Sequence, residues 1–133
     1  MEDSLQKKQF TYKGRTIEEL KSLDIREFAK FAKATPRRFI LRNFDIIERF
    51  IKKCKKRQEN NKPIKTHNRE IVIVPNMMGL TIQIYSGKQY VPIKITQEML
   101  GHRLGEFVPI RSKVQHGAPG IGATKSSAAM SVK

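Results

Sequence analysis

Cysteine occurs once in the 133 residues, at position 54. A single thiol excludes any internal disulfide and suits a reducing compartment. Long apolar runs are missing as well. No stretch has the length that spans a bilayer, and MEDSLQKKQF carries no apolar core of a signal peptide. The expectation is a soluble intracellular protein with no membrane partner. Acidic side chains are also scarce, 12 against 27 lysines and arginines, which leaves a formal net charge of +15. Such an imbalance repels itself unless a polyanion is near, so nucleic acid or an anionic surface is the expected partner. With 38% hydrophobic residues, the length suffices for one modest core.

The charge is concentrated. Residues 1–29 hold six basic and six acidic side chains, and residues 70–108 hold three of each. Residues 30–69 hold 14 basic and three acidic, and residues 109–133 hold four basic and none acidic. A solvated helix face normally mixes signs, and the central block does so far less. It predicts a dedicated polyanion-binding surface.

Periodicity organises the rest. Thr16 with Glu19, and Asp24 with Glu27, form capping-box patterns that open two short helices. In the second, Ile25, Phe28, Ala29 and Ala32 share one face. FDIIERFIKKCKKRQE predicts a third, with Ile47, Phe50, Ile51 and Cys54 as its apolar stripe and ENNKP as its stop. Its start has two readings: a cap at Thr35-Pro36, or a separate helix opened by Asn43. From residue 70 the period changes. EIVIV, TIQIY and YVPIKI have strand composition, separated by the turn sequences PNMMG and SGKQ. Short links predict an antiparallel meander, with Pro92 confining the last strand to an edge. TQEML then predicts a short helix capped by Thr96 and closed by Gly101. The expected fold is α+β: N-terminal helices packed on a small three-stranded antiparallel sheet, with an extended basic C-terminal tail. Residues 1–108 are expected as a single RNA-binding domain with an N-terminal helical extension, and 109–133 as a tail that is disordered when free.

The tail raises a chemical question, because GAPGIGATKSS looks like a phosphate-binding loop. A P-loop needs lysine directly after its second glycine, a buried strand before it and a helix after it. From Gly117 the second glycine is Gly122, but Ala123 follows and Lys125 comes two positions late. RSKVQH is not a buried strand. No bound nucleotide is therefore expected. Thr124, Lys125, Ser126 and Ser127 remain good partners for a phosphate backbone. Catalysis has little support. His67, His102 and His116 show no metal-ligand spacing, and Glu98 and Glu106 form no evident acid–base pair. Cys54 reads as a packed small residue. No enzyme, no cofactor and no metal are expected. Arg37, Arg38 and Arg42, the lysines of 52–57, and Lys65, His67 and Arg69 in KTHNR fit shape-and-phosphate binding to folded RNA.

Several motifs, in order, resemble a known family. KTHNR, IVPNMMGLTIQIYSGKQYVPIKI, EMLGHRLGEF and HGAPGIGATKSS are similar to the universal small-subunit ribosomal protein family numbered nineteen. Ser86-Gly87-Lys88, Leu100-Gly101 and Leu104-Gly105-Glu106-Phe107 look like its signature. The N-terminal helical extension and the glycine-rich tail are similar to its archaeal and eukaryotic branch. The resemblance covers about residues 10–133. It implies a structural protein of the head of the small ribosomal subunit, bound to small-subunit ribosomal RNA beside ribosomal protein thirteen. It further implies a cytoplasmic location in the ribosome, and a tail at His116–Lys125 that extends towards transfer RNA near the decoding site. One departure is visible: the family usually has a hydroxyl residue where this chain has Ile110, with Ser112 two further, so no hydroxyl contact is assigned there. The residues expected to contact RNA are Arg37, Arg38, Arg42, Lys52, Lys53, Lys56, Lys65, Thr66, His67, Arg69, Lys88, His102, Arg103, Arg111, Lys113, His116 and Lys125. The alternative expectation is a DNA-binding nucleoid or regulatory protein.

Overall fold

Two capping interactions launch the chain's helices. In the computed structural model, which describes residues 8–115, the Glu19 N–H donates to Thr16 Oγ1 and the Thr16 N–H to Glu19 Oε2. These bonds start α1, Ile17–Ser22. The Asp24 N–H donates to Glu27 Oε2 at 3.4 Å at the start of α2, Ile25–Phe31. Of the two readings of the next segment, a separate helix opened by Asn43 holds, and the cap at Thr35-Pro36 does not, because the preceding helix already begins at Ala34. Helix α3 runs Ala34–Arg42 and α4 runs Phe44–Glu59. Asn43 divides them: its N–H closes α3 on the Phe39 carbonyl, and its own carbonyl accepts from Ile47 to open α4. His116, Lys125 and the whole of GAPGIGATKSS lie outside the described residues.

The sheet requires a correction. It has three strands, β1 Ile64–Thr66, β2 Thr81–Tyr85 and β3 Tyr90–Lys94, in that spatial order. β2 and β3 form the expected hairpin around Gly87, whose φ is +95°, but β1 pairs with β2 in parallel. The sheet is mixed, not purely antiparallel. The expected first strand at EIVIV is not a strand of it. Ile71, Val72, Ile73 and Val74 are each 1% exposed or less. They bond instead to the segment that follows Leu100: Ile73 N–H to the His102 carbonyl, Gly101 N–H to the Ile73 carbonyl and Leu104 N–H to the Ile71 carbonyl. The physical reason is visible in the composition. Four consecutive apolar residues without alternation suit a segment enclosed on all sides, whereas a strand of this half-exposed sheet alternates. Fully burying each such side chain stabilises by about 2 kcal/mol, enough to hold the run inside without a regular ladder. A parallel β1–β2 pair also needs a long connection, and residues 67–80 with the buried run supply it.

The edge strand and the α4 stripe are as expected, while the short helix expected at TQEML is cut to a turn without a side-chain cap from Thr96. β3 is an edge strand and Pro92 on it is exposed. TQEML becomes a single 3₁₀ turn, Gln97–Met99, followed by Gly101 at φ +78°. The α4 stripe of Ile47, Phe50, Ile51 and Cys54 is buried and joins Ile64, Ile82 and Ile84 from the sheet's inner face in one core. Burial pushes the Cys54 thiol up to about 11, against the opposing pull of Lys53 and Arg57. Among the described residues no helix is long and apolar enough to cross a membrane.

Candidate nucleic-acid interface

Helix α4 carries charge over the whole arc that its apolar stripe leaves free, but the two signs are unevenly placed. On an α-helix, residues three and four apart are neighbours. Counting in those steps places Asp45, Glu48, Lys52, Lys55 and Glu59 along one flank, which holds all three acids of the helix. There Lys52 Nζ lies 3.0 Å from Glu48. A second flank, about a third of a turn round the helix, runs Ile46, Arg49, Lys53, Lys56 and Arg57 with no acid, and it adjoins the first where Asp45 meets Arg49 and Lys52 meets Lys56. Arg49, Lys53 and Lys56 are exposed, while Arg57 donates to the Pro63 carbonyl at 3.0 Å. The net positive field therefore comes from one flank. Lys53 and Lys56 lie on it, and Lys52 lies on the neutralised side.

That basic flank borders a groove. Ile46, Arg49, Phe50 and Lys53 form one wall, and Thr66 and Asn68 the other. The groove continues past Ile46 to Phe39, Asn43, His67, Arg69 and Glu70. Thr66 is buried rather than presented to solvent, and its Oγ1 accepts from the Asn68 N–H at 3.1 Å, which shapes the turn after β1. Beyond the groove lies the outer face of the sheet. Alternation along the strands puts Ile64, Thr66, Ile82 and Ile84 inward, and Lys65, Thr81, Gln83, Tyr85, Tyr90 and Lys94 outward. His67 follows in the outward series, with its Nε2 2.7 Å from Tyr90 Oη.

Two of the expected arginines hold the fold together. Arg37 donates from Nε to the Ala29 carbonyl and from Nη2 to the Lys30 and Ala32 carbonyls, each at 3.1 Å, closing the C-terminus of α2. Arg69 donates to the Tyr85 carbonyl at 2.8 Å, to the Gly105 carbonyl at 2.9 Å, and to the Val108 carbonyl. It joins the end of β2 to the 3₁₀ turn Leu104–Phe107. Gly105 passes so close that an added Cβ would lie 2.9 Å from Arg69 Cβ. A guanidinium with three carbonyl partners has little left for a phosphate.

The remaining expected residues lie around the periphery. Arg38 and Arg42 are exposed on α3, and Lys88 is exposed in the hairpin turn. Arg111 and Lys113 are exposed on the chain beyond Val108. His102 Nδ1 pairs with Glu106 Oε2 at 2.8 Å, and the Arg103 guanidinium lies 5.2 Å from the Phe39 ring centre. These two line a cleft with Tyr12, Lys33 and Thr35. Residue-by-residue reading missed Arg49, Asn68, Tyr85 and Tyr90. Helical counting along α4 marks Arg49, and hairpin register about Ser86–Gln89 marks the tyrosines. Asn68 has no sequence signal of its own.

Among the described residues no three histidines, cysteines or carboxylates come together to hold a metal. What the surface offers is exposed cations, amide and hydroxyl donors, and aromatic faces, distributed over two helices, a groove and a sheet. That defines a protein built to lie along a phosphate backbone. Comparison with protein families is specific: residues 38–116 match the family described as Ribosomal protein S19. The match spans more than half of the chain, and the chain belongs to that family. It is thus a structural protein of the small ribosomal subunit that binds ribosomal RNA, not an enzyme.

Proposed function

We propose that the protein packs ribosomal RNA in the head of the small subunit through the basic flank of α4 and the groove beside it. The single observation that carries this reading is the uneven charge of α4: all three of its acids share one flank, and the flank that borders the groove with Arg49 and Lys53 holds none. Phosphate contacts come from Arg38, Arg42, Arg49, Lys53, Lys56, Lys65 and His67, continued by Lys88, His102, Arg103, Arg111 and Lys113. Arg37, Arg69 and Thr66 act indirectly, by fixing the backbone that presents those groups, and Lys52 contributes least. Helices α1 and α2 precede the matched segment, which supports the archaeal and eukaryotic-type branch of the family. By resemblance to that branch, His116–Lys125 reach towards transfer RNA near the decoding site, and ribosomal protein thirteen is the neighbour in the head. Cells would then hold the protein in cytoplasmic ribosomes. Sedimentation of a lysate tests the proposal. Co-migration with small subunits that survives a high-salt wash is the expected result, and a free or nucleoid-bound pool would overturn it.

A further inference from the structure

The outer face of the sheet carries more aromatic surface than backbone-phosphate binding uses. Tyr85 and Tyr90 are register partners at the end of the β2–β3 hairpin, with ring centroids 5.1 Å apart. His67 lies 4.4 Å from the Tyr85 ring and 5.4 Å from the Tyr90 ring, at the mouth of the groove. Its bond to Tyr90 Oη holds the third ring in place. The exposed Lys65 rests its ammonium 5.1 Å from the Tyr90 ring centre, a loose contact that its flexible stem can exchange for a phosphate. No acidic residue occurs in any of the three strands, and Lys65, Lys88 and Lys94 stand exposed along the sheet. Glu70 lines the same groove as His67, but these three lysines outnumber it, so the surroundings favour a polyanion and the rings favour something flat.

We propose that Tyr85, Tyr90 and His67 form a stacking platform for an unpaired base of the ribosomal RNA, with Lys65 moving onto the adjoining phosphate. This rests on the ribosomal-RNA reading above and gives it a specific element: a single-stranded bulge or loop, not a continuous helix. Bases inside an A-form helix have both faces covered by their neighbours, so only an unstacked base can lie flat on a ring. Stacking is tolerant of base identity because every base has a π-face. The site thus selects an unpaired nucleotide by shape, not by sequence.

Ultraviolet crosslinking of the full chain bound to small-subunit ribosomal RNA tests this, read together with binding of Tyr85→Ile and Tyr85→Phe. Isoleucine keeps the bulk and the strand preference without the π-face, and phenylalanine keeps the face. The expected result is a nucleotide crosslinked within residues 81–94, binding weakened about tenfold in Tyr85→Ile, and near wild-type binding in Tyr85→Phe. The dependence on salt should stay unchanged in both, because no phosphate contact is lost. Crosslinks that map only to other segments, or equal affinity of Tyr85→Ile and wild type, would overturn the platform. Should Tyr85→Ile lower the melting temperature, the wild-type crosslink alone decides. A wild-type chain that fails to bind the RNA at all would instead sink the ribosomal-RNA reading.

Discussion

Replacing Arg69 by alanine removes three hydrogen bonds at once, to the carbonyls of Tyr85, Gly105 and Val108. Bonds from a charged donor contribute about 1.5–3 kcal/mol each when well buried. Arg69 is half-buried, and water can reach part of the vacated space, so about 1 kcal/mol each is the better figure here. The variant should lose about 3 kcal/mol, which in a domain of this size lowers the melting temperature by roughly 15 °C. Arg69→Lys can reach one carbonyl and should recover only a small part. Thermal melting followed by circular dichroism, beside ribosomal-RNA binding measured well below the transition, separates the two possible roles of this residue. A staple predicts a large fall in melting temperature with binding retained wherever the variant is folded. A variant as stable as wild type but defective in binding would refute the reasoning and return Arg69 to the RNA-contacting set.

Four further outcomes are expected. Lys53→Ala with Lys56→Ala should reduce the slope of log affinity against log salt by about two, whereas Lys52→Ala with Lys55→Ala should change it far less; equal slopes would contradict the division of α4 into flanks. The Cys54 thiol, raised to about 11 from its ordinary 9.0 by burial, should resist alkylation near pH 8 until the chain is unfolded. Because the fold favours the neutral thiol, its contribution to stability is fully present below pH 9 and is lost as the pH rises towards 11, which melting curves across that range can follow. Gly101→Ala places a side chain at φ +78°, with its Cβ 2.8 Å from the Tyr12 hydroxyl, and should cost about 2 kcal/mol in a urea titration; no loss would mean that the turn relaxes freely.

Much of this molecule is legible in its sequence, and the parts that are not share a cause. The helices are readable because their signals are local: Thr16 and Glu19 meet across a single turn, and the stripe from Ile47 to Cys54 repeats at helical spacing. The β2–β3 hairpin is readable for the same reason, since Ser86–Gln89 lie between its strands. β1 is three residues long and pairs in parallel with a segment beyond a 14-residue connection at 67–80. Nothing in its local composition marks that partner, and the β-branched run Ile71–Val74 reads as a strand in its place. The interface divides in the same way. The basic block is visible as a whole, and the helical repeat of α4 sets its three acids on one flank and Arg49 and Lys53 on the next. The roles of Arg37 and Arg69 depend on which distant carbonyls the fold brings to them, so composition groups them with Arg38 and Arg42.

Lysine acetylation of the chain, free and bound to small-subunit ribosomal RNA, tests the central claim most directly, because it reads every lysine of the interface in one experiment. Lys53, Lys56 and Lys65 should react in the free protein and be protected in the complex, while Lys52 and Lys55 react in both. Protection of Lys52 and Lys55, with Lys53 and Lys56 still reactive in the complex, would place the RNA on the acidic flank of α4 and contradict the account.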